Sequence, residues 1–393
     1  MENHERFRRE VATWLADNLT GEFAGVRGLG GPGREHEAFD ERLAWERHLA
    51  AAGWTCVGWP TEFGGRGLSL AEQVIFHEEY AASGAPARVS HLGEQLLGPT
   101  LIAFGTPEQQ RRFLPAIRAV EQLWCQGYSE PGAGSDLAAV STTARLEPDG
   151  GGAEEQAWML NGQKIWTSLA HVADWCFVLA RTEPGSTRHH GLSYLLVPMD
   201  QPGVTVRPIT QLTGTSEFNE VFFDDARTEA DMVVGEPGDG WRVAMGTLGF
   251  ERGVSTLGQQ IGFRRELDGI VAQARATGTI DDPVLRDDLV RARVDLRVLR
   301  AHALRTLERE PGPDVAVGKL LWATWHRRLG ELAMRARGAR GLITGGDLDE
   351  WQRLLLFSRA DTIYGGSDEI QRNIIAERVL GLPKEPRNTE ERR

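Results

Sequence analysis

The texture of this chain changes twice, and that pattern constrains its fold more than any other feature. Residues 1 to about 122 carry helix-period apolar spacing, clearest over 8–19 and 38–52 and again from about Leu70. Thr106-Pro107-Glu108 reads as a helix start, with threonine as N-cap and proline in the first turn. From about 123 to 233 the apolar runs become short and are set between turn residues: 174–181, 192–197, 204–209 and 219–223. Residues 158–160 and 163–167 flank Asn161-Gly162, which predicts a hairpin with a tight turn. Helical spacing returns over 241–263, 283–308, 314–336 and 367–380. The expected organisation is three domains: helical over 1–122, an all-β barrel or sandwich over 123–233, and helical over 234–393. A chain of 393 residues is long for a single core and suits that division.

The bulk properties exclude several functions. A net charge of −12 makes nucleic acid an unsuitable primary ligand. No apolar run reaches the roughly 18 residues of a membrane span. The N-terminal MENHERFRREV is charged and lacks the apolar core of a signal peptide, so cytoplasmic residence is expected. Cys56, Cys125 and Cys176 are scattered and form no C-x-x-C pair, which predicts buried free thiols rather than a metal site or disulfides. His189-His190 follows a polar loop and reads as surface. Asp349-Glu350 reads as an exposed turn.

Two segments carry the chemistry. Residues 128–136 read YSEPGAGSD, with Gly132, Ala133 and Gly134 between an acid and a Ser-Asp pair. Glycine permits positive φ and close backbone approach to a ligand, and successive N–H groups in such a turn can face an anion. About thirty residues on, Trp166, Thr167 and Ser168 place an aromatic ring beside two hydroxyls. Each is ambiguous alone. Such a turn can be purely structural, Trp166 can be a core residue, and Ser168 a strand-end hydroxyl.

In this order and spacing the two segments resemble the flavin-binding β-domain of the acyl-CoA dehydrogenase family, and the resemblance extends over nearly the whole chain. It implies a helical N-terminal domain, a central β-barrel and a C-terminal four-helix bundle, an α+β multidomain protein. It also implies FAD, whose N5 accepts a hydride that no amino-acid side chain can accept. By position, Tyr128, Ser129, Gly134 and Ser135 match the first flavin stretch, and Ser135 also falls where the family contacts CoA. Trp166, Thr167 and Ser168 match the second. Ser367, Asp368 and Glu369 match a third, near the adenine end of FAD, while Ser367 equally suits a simple helix cap.

Desaturation at Cα and Cβ of an acyl thioester also needs a base and donors to the thioester carbonyl. Many family members carry a glutamate after the tyrosine of a Y-E-G-T stretch, but here that position is Gly365 in Tyr364-Gly365-Gly366-Ser367. Its side chain takes no proton, though its N–H can donate. Other branches place the base on the first helix of the C-terminal domain, a position matching Glu251. Leu248 and Val254 stand three residues to either side of it on one helical face, and an apolar setting raises a carboxyl pKa. The bland alternative is a solvated acid paired with Arg252. Gly249, Phe250 and Arg252 match positions beside the substrate, and Gly365 joins them through its backbone.

The resemblance further implies an acyl-CoA substrate, an electron-transfer flavoprotein as acceptor, and an oligomer. Residues 274–283 lack the phenylalanine through which the family often reaches the neighbouring subunit's flavin, so a heteromer stands beside a homo-oligomer. Three variants stay open: a carrier-protein acyl group as substrate, a flavin oxidase or monooxygenase, and a weakly catalytic partner subunit.

Overall fold

The computed structural model describes residues 2–148, 156–250, 255–307 and 315–384. They fall into two compact units, Met1–Gly258 and Gln259–Arg393.

The first unit opens with five helices: α1 (Glu2–Asn18), α2 (Phe39–Ala51), α3 (Leu70–Ser83), α4 (Gly98–Phe104) and α5 (Pro107–Arg118). Ser69 and Thr106 each close a capping box with the residue three positions on, which fixes where α3 and α5 begin. Val11, Leu15, Trp45, Leu49 and Phe76 form the core of this helical region. Arg88 is half-buried between the buried Glu46 and Glu94, so its charge is paired inside the fold.

Eight strands follow: β1 (Trp124–Gly127), β2 (Thr143–Pro148), β3 (Gln156–Ser168), β4 (Trp175–Arg181), β5 (Leu192–Pro198), β6 (Val204–Ile209), β7 (Phe218–Glu229) and β8 (Val233–Val234). They make one sheet in the order β6-β7-β3-β2-β4-β5-β8, with β1 pairing in parallel with β4. The sheet curls around its own core. Trp158, Val178, Leu195, Val221 and Phe223 from four strands pack together. The Thr228 hydroxyl on β7 donates to the Leu196 carbonyl on β5, across three intervening strands of the hydrogen-bond order. Helix α6 (Gly240–Phe250) packs on this sheet.

The hairpin expected at Asn161-Gly162 does not form. β3 runs unbroken through both residues, pairing with β2 on one side and β7 on the other. A bulge between Leu160 and Gly162 absorbs the irregularity. Asn161 uses its amide as a clamp, donating to Asp225 Oδ1 at 2.8 Å and accepting from the Asp225 N–H at 3.0 Å. Gly162 sits at φ +151°, and a Cβ there would lie 2.7 Å from Thr142 Cα. The turn-forming dipeptide therefore serves close strand approach within a long strand.

In the second unit, α7 (Ser255–Thr277), α8 (Pro283–Leu307), α9 (Val315–Arg337) and α10 (Glu350–Asp361) form a four-helix core around Leu267, Ile270, Leu289, Leu296, Trp325 and Leu329. A short α11 (Asp368–Ile374) follows. Asp349-Glu350 is not an exposed turn. Asp349 caps α10, accepting from the Trp351 and Gln352 N–H groups, and Glu350 occupies the first turn. All three cysteines are free and buried.

Candidate active site

Residues 128–136 leave β1 and close on themselves through a two-way backbone bridge between Glu130 and Ala133. Neither Gly132 nor Gly134 has positive φ, so the conformational freedom that glycine offers is not used here. A Cβ at either would meet nothing within 4 Å. Their smallness matters here as open, unobstructed backbone at the surface.

The loop is tied to β3 by charge. Lys164 is fully buried and uses its three donors on Glu130 Oε1 at 2.8 Å, the Tyr128 carbonyl at 3.1 Å and the Leu179 carbonyl at 2.7 Å. Glu130 also accepts from the Ser141 N–H and hydroxyl and from the Thr142 N–H. Burial opposes the charged form of Glu130, but Lys164 and these donors outweigh it and hold the carboxyl down at about 2. The Ile165 N–H donates to the Ser129 carbonyl at 2.9 Å. One network thus brings Tyr128 and Ser129 alongside Trp166, Thr167 and Ser168.

A second bulge in β3, between Lys164 and Thr167, sets the direction of those three residues. Trp166 adopts φ +60°, a costly conformation for an aromatic residue, and is 56% exposed, with its ring edge-on to Phe218. Thr167 is fully buried, and its hydroxyl has no partner among the described residues. The Gln126 side-chain amide nitrogen on β1 is in the same position. An orphaned buried hydroxyl normally has an explanation such as a bound group. An outward aromatic face and two unpartnered buried donors, the Thr167 hydroxyl and the Gln126 amide, suit a flat heteroaromatic ring such as a flavin.

Tyr128 packs edge-on to Tyr194, whose hydroxyl is 3.5 Å from Thr247 on α6. This connects the loop to the helix whose last residues are Gly249 and Phe250; Phe250 is 37% exposed. Glu251 and Arg252 lie outside the described residues. Gly134 and Ser135 are exposed at the loop's tip.

In the second unit, Gly365 and Gly366 both take positive φ, at 61° and 87°, and turn the chain into α11. Ser367 caps α11, its hydroxyl accepting from the Ile370 N–H. Glu369 points outward beside Arg372. Asp368 is buried, with one carboxylate oxygen 3.4 Å from the Thr324 hydroxyl and the other unpartnered among the described residues. Gln371 Oε1 is likewise buried and unpartnered.

Sequence reasoning missed Glu130 and Lys164, although both sit inside the segments it singled out. Their available signal was an acid and a base at fixed places in two paired motifs, which a one-dimensional reading treats as surface charge. Gln126 and Gln371 gave no sequence signal.

Known proteins place this architecture. The acyl-CoA dehydrogenase N-terminal, middle and C-terminal domain descriptions match residues 1–121, 125–226 and 238–380. The chain is 68% identical over 390 residues to acyl-CoA dehydrogenase IpdE1 of Mycobacterium tuberculosis, covering 98% of this chain and 99% of the relative. A solved structure titled Tcur3481-Tcur3483 steroid ACAD matches with a TM-score of 0.83 and 28% identity, over 98% of this chain and 99% of that one. The ChsE4-ChsE5 complex from Mycobacterium tuberculosis matches with a TM-score of 0.78 and 28% identity, over the same shares. The chain belongs to the acyl-CoA dehydrogenase family, whose members are flavoprotein oxidoreductases. Among the described residues no helix is long and apolar enough to cross a membrane.

Proposed function

We propose that this enzyme binds FAD and converts an acyl-CoA thioester to its 2-enoyl-CoA, with Glu251 taking the Cα proton. The observation that carries the reading is the unpartnered Thr167 hydroxyl, buried beside the outward-turned Trp166 on the strand stitched to the Gly-rich loop. When bound, FAD supplies the hydride acceptor that the protein lacks. Tyr128, Ser129, Gly134, Trp166, Thr167 and Ser168 hold the ring, and Ser135 meets both cofactor and CoA. The unpartnered acceptor oxygens of the Asp368 carboxylate and the Gln371 amide, with Ser367 and Glu369, support contacts to the adenosine portion. The Gly365 N–H donates to the thioester carbonyl, while Gly249, Phe250 and Arg252 border the acyl group. The Tcur3481-Tcur3483 neighbour is named a steroid ACAD, which supports a bulky, steroid-type acyl group here. An electron-transfer flavoprotein is the electron acceptor, and the enzyme works in the cytoplasm.

Anaerobic mixing with a panel of straight-chain and steroid-type acyl-CoAs tests this. The flavin absorbance should bleach, fastest with the steroid-type thioester. Glu251→Gln should abolish bleaching while the protein stays yellow, because the variant keeps the cofactor contacts and loses only the base. Normal turnover in that variant removes Glu251 from the role. Bleaching only by a carrier-protein thioester, or rapid peroxide formation in air, would favour the other chemistries open to this scaffold.

A second reading has specific support: that turnover requires a second, different subunit. The ChsE4-ChsE5 neighbour is titled a complex of two proteins. Residues 274–283 lack the expected aromatic. Val290, Val294 and Val298 form an exposed apolar stripe on α8. Expressed alone, the chain should then be pale and slow. A yellow, fully active homo-oligomer overturns this second reading and leaves the first intact.

A further inference from the structure

His326 on α9 stands between two acids. Its Nδ1 is 2.6 Å from Asp361 Oδ2 at the end of α10, and its Nε2 is 2.9 Å from Glu266 Oε2 on α7. Ionised carboxylates only accept hydrogen bonds, so both ring nitrogens must donate, and that requires the imidazolium. Phe263 stacks on the ring at 4.4 Å and shields one face. Burial opposes the charge, but the hydrogen bonds to Asp361 and Glu266 outweigh it and push the group up to about 9.

Asp361 is the root of the turn that leads into α11. Its second oxygen accepts from the Tyr364 hydroxyl at 2.5 Å, and its backbone carbonyl accepts from Lys319, two turns before His326 on α9. The Lys319 ammonium also lies over the Trp322 and Tyr364 rings, at 4.2 and 4.6 Å. The Ile363 and Tyr364 N–H groups both donate to Ala360, and the Asp368 N–H donates to Thr362. Gly365 and Gly366, both at positive φ, close the turn, and the Gln371 side chain on α11 donates to both of their carbonyls at 3.1 Å. The α10 side of the turn is held through Asp361, which is gripped from α9 by His326 and Lys319.

We propose that the His326 imidazolium is a positioning residue, which clamps Asp361 and Tyr364 so that the Gly365 N–H is fixed for the thioester. This rests on the reading of Gly365 as a thioester contact. The clamp has a built-in alkaline limit, since a neutral imidazole can donate to only one of the two acids and turns a lone pair toward the other. The charged groups facing His326 are Glu266 from α7 and Asp361 from α10, while the Lys319 ammonium from α9 and the Tyr364 phenol from the turn meet Asp361. On the α8 side Asp288 is engaged by Arg328 and Arg335, and on α11 Asp368 faces Thr324 and Arg372.

The test compares the wild-type enzyme with His326→Gln and Tyr364→Phe by hydrogen exchange and by kinetics. At pH 7, amides of residues 362–368 should exchange about 10-fold faster in both variants, with the α8 amides unchanged. Wild-type kcat should fall as pH rises through about 9. In His326→Gln, kcat should already be lower at pH 7, by on the order of 10- to 100-fold, with the alkaline fall gone. Should His326→Gln not fold, Tyr364→Phe alone decides the exchange comparison, because it removes one hydroxyl and leaves the core intact. Unchanged exchange over 362–368 in a folded variant overturns the clamp, as does an alkaline fall that survives in His326→Gln. Failure of every thioester to bleach the flavin overturns the functional reading instead, and the exchange comparison still decides the clamp.

Discussion

Lys164 shows how a buried residue can shape a candidate site from behind. Its three donors are all consumed by protein acceptors, so it has none left for a cofactor. What it controls is the distance between the Gly-rich loop, β3 and β4. Removing one member of such a buried pair strands the other charge, and the expected cost is about 3–5 kcal/mol. Lys164→Met should lower stability by that order in urea unfolding, and should weaken flavin retention because Tyr128 and Ser129 lose their tether. The double variant Glu130→Gln/Lys164→Met should regain part of the loss, since no net charge remains buried. Equal losses in the single and double variants would show that the charge pairing is not the source. Trp166 is the complementary case: the sequence identified the residue, but its direction comes from a bulge at Lys164 and Thr167 that no local pattern announces.

Secondary-structure elements were legible wherever one local force dominated. Capping residues placed the starts of α5 and α11 at Thr106 and Ser367, because side-chain acceptance of a helix N–H is decided within four residues. The strand spans 192–197 and 204–209 emerged from apolar runs that β5 and β6 bury or half-bury. Legibility failed where tertiary contacts overrode local chemistry. Asn161-Gly162 has the composition of a hairpin turn, yet Asp225 and Thr142 from neighbouring strands hold it extended. The strand β2, mostly exposed along its length, left little apolar pattern to read. The start of helix α10 is hidden in the sequence because Asp349-Glu350 has the composition of a surface turn, yet Asp349 closes a capping box with Gln352. That cap has a measurable weight. Asp349→Ala should cost about 1 kcal/mol, and also removes the contact of Arg337 with the Asp349 carboxylate. Thermal unfolding of the variant should show a lower midpoint, and an unchanged midpoint would mean that α10 is held by Trp351 and Leu354 packing alone.

At the scale of the whole molecule, the two compact units carry buried ionised groups whose titrations lie on opposite sides of neutrality. Glu130, in the first unit, has its carboxyl held down to about 2 from an ordinary 4.5. A depressed acid contributes stability above its unfolded value and loses that contribution as pH falls through its folded value. Its window is therefore about pH 4.5 down to 2, and its weight is on the order of 2 kcal/mol after allowance for solvent screening. His326, in the second unit, is raised to about 9 from an ordinary 6.5. A raised base contributes fully below its unfolded value and loses that contribution as pH rises through its folded value, so its window is about pH 6.5 up to 9. Its weight is on the order of 2–3 kcal/mol. Acid should thus loosen the sheet-containing unit first, through the Gly-rich loop and β3, and alkali the helical bundle first, through α7, α9 and α10. Hydrogen exchange corrected for intrinsic rates, followed at pH 4 and at pH 9.5, separates the two. Protection should fall over β1 and β3 at the acid end and over residues 319–368 at the alkaline end. Loss of protection in the same unit at both ends would mean that neither Glu130 nor His326 sets the pH limits of this fold. Glu130→Gln should flatten only the acid side and His326→Gln only the alkaline side, because each group answers to partners within its own unit.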